Sequence, residues 1–122
     1  MQVSELMSNH PRVLNADDTA LIAAQILAQE DIGAVPVADG ERLLGMVTDR
    51  DIVVRCVAKN MNPVDTLLRE IVSGPPRYCY EDEEIEHVAR NMDQLLVRRL
   101  PVMNRTKRLV GIISIEDIHP RH

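Results

Sequence analysis

An internal duplication constrains this chain more than any other feature of its sequence. Shifted by 65 residues, the chain matches itself at Glu5/Glu70, Ser8/Ser73, Pro11/Pro76, Arg12/Arg77, Asp17/Asp82, Ala24/Ala89, Gln29/Gln94, Pro36/Pro101 and Val37/Val102. One insertion then moves the offset to 66, with matches at Arg42/Arg108, Leu43/Leu109, Gly45/Gly111, Asp51/Asp117 and Ile52/Ile118. Because the matches keep their order with a single gap, both halves must form the same supersecondary unit.

Each copy has the pattern of a β-α-β-β-α unit preceded by a short helix. The first copy predicts a short helix at residues 3–7, strands at 12–14, 34–37 and 43–47, and a helix at 19–30. The second copy predicts the same elements: a short helix at residues 68–72, strands at 77–80, 99–102 and 109–113, and a helix at 83–96. Asp39-Gly40 indicates a hairpin turn. Thr48 and Ser114 begin the last helices, the first of which should reach about residue 59. Helical spacing predicts buried faces made by Ile22, Ala23, Ile26 and Leu27, and by Ile85, Val88, Ala89, Met92 and Leu96.

The predicted fold class is α+β, of the α/β type, with a first repeat at residues 1–59, a linker at 60–66 and a second repeat at 67–122. The chain has no Trp or Phe, so its core must be aliphatic. One repeat is too small to bury a sufficient core alone. We therefore expect the repeats to pack sheet to sheet around a pseudo-two-fold axis, which would create two equivalent clefts.

Composition excludes several classes of function. A net charge of −5 argues against nucleic-acid binding, which depends on an excess of Lys and Arg. No apolar run is long enough for a membrane span and no signal peptide is recognisable, so we expect a cytoplasmic protein that does not bind membranes. Cys56 and Cys79 are isolated and are expected to be buried thiols. The histidines (10, 87, 119 and 122) lack ligand spacing, and no metal site is expected.

A repeated motif, Gly-apolar-x-(Thr/Ser)-x-x-Asp, places a hydroxyl and a carboxylate together where a strand enters a helix. It pairs Thr48 with Asp51 and Ser114 with Asp117. Two interpretations are compatible. The pair can form a capping box that satisfies free backbone N–H groups. The carboxylate can also accept charge-assisted hydrogen bonds from the vicinal hydroxyls of a ligand.

Basic side chains are concentrated in the second copy, at Arg98, Arg99, Arg105, Lys107 and Arg108. They either face a phosphate or lie in solvent and pair with the acidic stretch at residues 81–86. We favour solvent for the last three, whereas Arg99 remains open between the two roles. In the first copy, Arg50 either reaches a phosphate or points into solvent.

Two tyrosines distinguish the second copy from the first. Tyr78 and Tyr80 flank Cys79 on a short strand, so their rings should lie on one side. If that side faces a ligand, Tyr78 can stack on an aromatic base; otherwise the rings fill core space. The first copy has Val13 and Asn15 at these positions. The two sites should therefore differ in affinity.

The whole pattern resembles the cystathionine-beta-synthase (CBS) domain family, as the tandem pair called a Bateman module. The matching segments are residues 31–37 with 45–52, and 97–102 with 111–118. The chain looks most like small stand-alone bacterial CBS-pair proteins. This resemblance implies a regulatory module that binds AMP, ADP, ATP or S-adenosylmethionine between its repeats.

The resemblance also implies a role for each matching residue. Asp51 and Asp117 would bind the ribose, and Thr48 and Ser114 would lie beside the ribose and phosphate. The backbone at Val35 and Leu100 would contact the adenine edge. An adenine nucleotide would then be a regulatory ligand and not a cofactor.

No nucleophile-base pair, metal cluster or phosphate loop has plausible spacing, so enzyme activity is not expected. The alternative function is a protein-interaction or dimerisation module whose clefts are empty or purely structural. The resemblance implies a homodimer, and a partner protein is compatible with it. Ile52, Val53, Val57 and Ile118 either supply the dimer surface or belong to the core.

Overall fold

The computed structural model describes residues 1–72 and 75–120, so predictions that fall on Ser73, Gly74, Arg121 or His122 lie outside it. The chain divides into two compact units. The first unit is Arg12–Pro76, and the second unit is Met1–Pro11 together with Arg77–His122. The N-terminal segment, Met1–Pro11, therefore belongs to the same unit as most of the second repeat. The short helix after the predicted linker, Leu68–Ile71, belongs to the first unit.

In its described residues the first unit contains a three-stranded sheet, three α-helices and one π-helical segment. Its elements are β1 (Leu14–Asn15), α1 (Ala20–Glu30), β2 (Ala34–Asp39), β3 (Arg42–Thr48), α2 (Asp49–Ile52), a π-helical continuation (Val53–Val57) and α3 (Leu68–Ile71). The strand order is β1-β2-β3, with β1 parallel and β3 antiparallel to β2. Gly40, at φ 61°, occupies the hairpin turn predicted from Asp39-Gly40, because glycine adopts this conformation without steric cost.

The second unit repeats this arrangement. Its elements are a 3₁₀ helix (Val3–Glu5), β4 (Cys79–Tyr80), α4 (Ile85–Leu95), β5 (Arg99–Met103), β6 (Leu109–Ser114) and α5 (Ile115–Ile118). The strand order is β4-β5-β6, with the same parallel and antiparallel pairings. The prediction of an α+β fold with duplicated elements is confirmed.

Each unit incorporates, through backbone hydrogen bonds, one of the two short helices that precede the repeats in sequence. These leading helices are the 3₁₀ helix Val3–Glu5 in the second unit and α3 in the first. In the second unit the Val3 N–H donates to the Glu83 carbonyl at 2.9 Å, and Ser8 exchanges two such bonds with Ile112 at 2.8 and 3.1 Å. In the first unit the Leu68 N–H donates to the Asp18 carbonyl at 2.9 Å. Val3 and Leu68 are both fully buried, so these segments are part of the two cores.

Both cores are aliphatic, as predicted, and two helix-face assignments are wrong. Helix α1 buries Ala20, Ala23 and Leu27, whereas Ile22 is 41% exposed because it lies about 100° around the helix from Ala23. Leu96 is 90% exposed, because it is the left-handed C-cap that follows α4 and its side chain leaves the helical face. Cys56 and Cys79 are buried free thiols, as predicted.

The aliphatic residues offered for a dimer surface divide into two pairs. Ile52 belongs to the first unit's core, and Ile118 packs against that of the second unit. Val53 and Val57, on the π-helical segment, are 57% and 58% exposed. Across residues 1–72 and 75–120, no helix combines the length and apolar character needed to cross a membrane.

Candidate functional site

The duplicated motif forms the same strand-to-helix turn in both units. At the start of α2, the Thr48 hydroxyl accepts from the Asp51 N–H at 3.0 Å, and Asp51 Oδ2 accepts from the Thr48 N–H at 2.9 Å. At the start of α5, Ser114 and Asp117 make the equivalent bonds at 3.3 and 2.9 Å. The capping-box interpretation is therefore confirmed at both turns.

Strand register brings the predicted site residues of each unit to one end of its sheet. Thr48 lies directly opposite Ala34, and Ser114 lies directly opposite Arg99. The residues that follow, Val35 and Leu100, bury their side chains at 1% and 3% exposure. They can therefore offer a ligand only their backbone.

The central strand of each sheet has an open backbone edge beside this turn. Strand β1 pairs only with Val37 and Ala38, so within the described part of the chain residues 34–36 have no strand partner on that side. Strand β4 leaves residues 99–101 open in the same way. Pro36 and Pro101 have no N–H, so the backbone groups that remain for hydrogen bonding there are carbonyls and the N–H groups of the other residues. Val13, which is 39% exposed, and Tyr78 immediately precede these short parallel strands.

The two tyrosines of the second unit lie in contact, which agrees with the prediction that they lie on one side of the strand. Their ring centroids are 5.6 Å apart, with the rings nearly perpendicular. Two effects raise the pKa of Tyr80: a hydrogen bond with Tyr78, which is the larger, and partial burial. The Arg105 guanidinium lies 4.0 Å from the Tyr80 ring centroid. Tyr80 is thus held by Tyr78 and Arg105, and both tyrosines are half-buried.

Arg105 and Arg98 are held by carboxylates. Arg105 donates two hydrogen bonds to Asp82, at 2.8 and 3.0 Å, and thereby lowers the pKa of that carboxyl. This confirms the predicted pairing of Arg105 with the acidic stretch. Arg98 donates to Glu116 at 2.6 Å, and this bond is the main cause of the lowered pKa of Glu116. Arg99 is half-buried at the start of β5.

Sequence reasoning missed Arg55 beside the first turn. Its Nε lies 3.9 Å from Asp51 Oδ1, and the Asp51 side chain is 13% exposed. The i, i+4 spacing on the helix was the signal that would have found this pair. Arg50 is exposed on the same helix, and Asp49 accepts a hydrogen bond from its backbone N–H at 2.8 Å. No group of three or more His, Cys, Asp or Glu in the described ranges could hold a metal ion.

The profile of the CBS domain family matches this chain twice, at residues 3–57 and 68–119. The chain belongs to the CBS domain family. It is 34% identical over 115 residues to Hypoxic response protein 1 of Mycobacterium tuberculosis, an alignment that covers 93% of this chain and 80% of that protein. The family resemblance inferred from the sequence is therefore confirmed.

Solved structures of CBS proteins superpose closely on this fold. Hypoxic Response Protein I with two coordinated zinc ions gives a TM-score of 0.89 at 32% identity, covering 100% of this chain and 99% of that one. The CBS domain pair of MJ0100 with 5′-methylthioadenosine and S-adenosyl-L-methionine gives 0.83 at 29%, covering 98% and 93%. PAE2072 from Pyrobaculum aerophilum, complexed with AMP, gives 0.85 at 26%, covering 100% and 93%.

Proposed function

We propose that this protein is a regulatory module that binds adenosyl ligands at its two strand-to-helix turns. The observation that carries the proposal is the duplicated turn, where an ordered aspartate lies beside the open backbone edge of the central strand. Family members with similar folds bind AMP, S-adenosylmethionine or 5′-methylthioadenosine, which supports this ligand class.

Each part of an adenosyl ligand has a chemically suitable partner at the turn. The carboxylates of Asp51 and Asp117 would accept from the ribose hydroxyls, and the capping boxes fix their orientation beforehand. The open edges near Val35 and Leu100 would hydrogen-bond the adenine edge, with Val13 or Tyr78 against the ring. Thr48 and Ser114 would lie next to the ribose and phosphate.

The module would act by coupling and not by catalysis. A ligand shifts a conformational or assembly equilibrium only as far as its affinities for the two states differ. AMP, ADP, ATP and S-adenosylmethionine are the candidate effectors. The response would pass to a homodimer contact or to a partner protein.

Titration calorimetry with AMP and S-adenosylmethionine tests the ligand class. We expect heat of binding from the wild type and its loss in the Asp51→Asn/Asp117→Asn double variant. Asparagine keeps an oxygen that can accept the cap hydrogen bond but loses the charge. Asp65→Asn, at an exposed position of the first unit, is the matched control and should bind normally.

The result that would overturn this function is absence of binding by the folded wild type. Binding that survives in the folded double variant would instead show that the two aspartates serve only as caps. Circular dichroism of every variant separates lost binding from lost folding.

A second candidate function, a dimerisation module, is favoured by one observation. Val53, Val54 and Val57 expose 57%, 44% and 58% of their surfaces on one helical segment. Exposed aliphatic clusters of this kind mark protein contacts. Analytical ultracentrifugation of the wild type and a Val53→Ser/Val57→Ser variant tests it. A dimer that becomes a monomer in the variant supports the contact, and an unchanged dimer contradicts it.

A further inference from the structure

The two turns differ at the position directly opposite the site hydroxyl. Directly opposed residues of an antiparallel pair project from the same face with their Cβ atoms about 5 Å apart. Thr48 faces Ala34 across β2 and β3, whereas Ser114 faces Arg99 across β5 and β6. The duplicated framework therefore places a guanidinium-bearing side chain beside one hydroxyl and a methyl group beside the other.

Among the described residues, Arg99 forms no ion pair with a carboxylate. Its guanidinium makes no ion pair or hydrogen bond with any side chain that the structure describes, although it is half-buried. Arg99 makes a small contribution to the lowered pKa of Glu116, but the Glu116 carboxylate accepts its hydrogen bond from Arg98 at 2.6 Å. A half-buried guanidinium without a carboxylate partner is expected to bind an anion from solution, because burying an unpaired charge costs free energy.

A second arginine of this unit has lost the partner that its counterpart keeps. In the first unit Arg12, just before β1, forms an ion pair with Glu30. Its repeat counterpart is Arg77, just before Tyr78, but Leu95 stands at the position of Glu30. Arg77 is exposed and makes no ion pair within the described residues. Within the ranges that the structure describes, two guanidinium groups of the second unit, near the starts of β4 and β5, therefore have no carboxylate partner.

The cations of the first unit are placed differently. Arg55 lies 3.9 Å from Asp51, and Arg69 donates to Asp17 at 2.8 Å and lies 3.6 Å from Asp39. Arg50 is exposed on α2, between two aspartates in sequence. None of these groups occupies the strand position opposite the site hydroxyl.

We propose that the two sites differ in their demand for phosphate. The site at Asp117 selects 5′-phosphorylated adenosyl ligands through Arg99, assisted by Arg77, whereas the site at Asp51 accepts adenosyl ligands without requiring a phosphate. The inference rests on the proposed function. Its chemical reason is that a guanidinium matches the geometry of a phosphate with paired, charge-assisted hydrogen bonds.

The test compares AMP with adenosine, which differ only in the phosphate. Calorimetry on Asp51→Asn isolates the second-unit site, and Asp117→Asn isolates the first. We expect the second-unit site to bind AMP about tenfold to a hundredfold more tightly than adenosine, as charge-assisted hydrogen bonds allow. The first-unit site should bind the two ligands within about threefold.

Variants of the proposed selective residues complete the experiment. Arg99→Gln in the Asp51→Asn background should reduce the AMP-to-adenosine ratio about tenfold while adenosine binding stays the same. Arg77→Gln should reduce it less. Arg90→Gln, which removes an exposed charge on α4, is the control for long-range electrostatics and should leave the ratio unchanged. In the Asp117→Asn background, Ala34→Arg should raise the ratio.

The outcomes separate the two proposals. If neither single-site variant binds AMP or adenosine although the wild type is folded, the proposed function fails and this inference fails with it. If both ligands bind but the ratio is equal at the two sites, or is unaffected by Arg99→Gln, only the phosphate selectivity is wrong. An Arg90→Gln effect as large as that of Arg99→Gln would also overturn it, because general charge would then explain the preference.

Discussion

The two units share one backbone plan but differ in the polar contacts around it. Both contain a capped strand-to-helix turn and a short parallel strand that leaves the central strand partly open. The first unit pairs Arg12 with Glu30, and Arg69 with Asp17. In the described part of the second unit, Arg105 pairs with Asp82, whereas Arg77 and Arg99 form no ion pair. Duplication has thus preserved the framework, while the charged contacts around the two turns have diverged.

The largest effect should come from the leading helices, because each has a fully buried residue in its unit's core. Leu68→Ala should lower the free energy of unfolding by about 2–5 kcal/mol, through lost burial and the cavity that remains. Val3→Ala, its repeat counterpart, should cost less because less volume is removed. Urea denaturation followed by circular dichroism measures both.

Val64→Ala is the control for Leu68→Ala, since Val64 is 54% exposed and should change stability by less than about 0.5 kcal/mol. Equal losses at Leu68 and Val64 would show that the helix after the linker is not part of the first unit's core.

Gly111 is the next place to test the comparison, because the N-terminal segment packs directly on it. A Cβ at this position would lie 2.6 Å from both the Met7 sulfur and the Ser8 carbonyl oxygen. Gly111→Ala should therefore destabilise the protein by about 1–3 kcal/mol by overpacking. Thermal unfolding measures the loss.

Gly33→Ala provides the matched control in the first unit, where a Cβ would meet nothing within 4 Å. It should change stability far less than Gly111→Ala. Similar effects at the two glycines would contradict the close approach of Ser8 to β6.

The capping boxes should respond unequally to loss of the hydroxyl. Thr48→Ala and Ser114→Ala should each cost about 0.5–2 kcal/mol, the usual range for an N-cap. The larger loss is expected at Thr48, since its oxygen lies 3.0 Å from the Asp51 nitrogen against 3.3 Å at Ser114. Urea denaturation of the two variants compares them, and a larger loss at Ser114 would reverse the order.

The smallest effect should be the pH dependence of one exposed ion pair in each unit. Arg69 and Arg105 lower the pKa values of Asp17 and Asp82 in the folded state. A depressed folded pKa stabilises the protein above the unfolded value of about 3.9, and this contribution is lost as pH falls through the folded pKa. Wild type should therefore lose more stability between pH 6 and pH 3 than Arg69→Gln or Arg105→Gln.

Urea denaturation at the two pH values measures this difference, with Arg90→Gln as the control that should follow the wild type. If Arg69→Gln or Arg105→Gln loses as much stability between pH 6 and pH 3 as the wild type, the corresponding ion pair does not contribute to the pH dependence.

Much of the framework could be predicted because it is encoded locally. Turn residues, caps and helical periodicity predicted the order of the elements, and strand alternation placed Tyr78 and Tyr80 on one side, where their rings meet. The faces of Ile22 and Leu96 were wrong, because a helix's rotation and its final left-handed residue depend on tertiary packing. Local patterns also could not indicate which unit each leading helix joins, since duplicated segments fit either copy. The pairing of Arg12 with Glu30 depends on the same long-range geometry.

The membership of the leading helices has a consequence for the order in which the chain can fold. In the first unit, the ion pair between Asp17 and Arg69 joins residues 52 apart, whereas Met1 and Glu84 in the second unit are 83 apart. Contacts between distant residues form slowly, because a long loop must close first. A ribosome delivers every element of the first unit before β4 emerges. The N-terminal segment meanwhile has no native partner for Val3, so we expect it to be the last part of the protein to find its place.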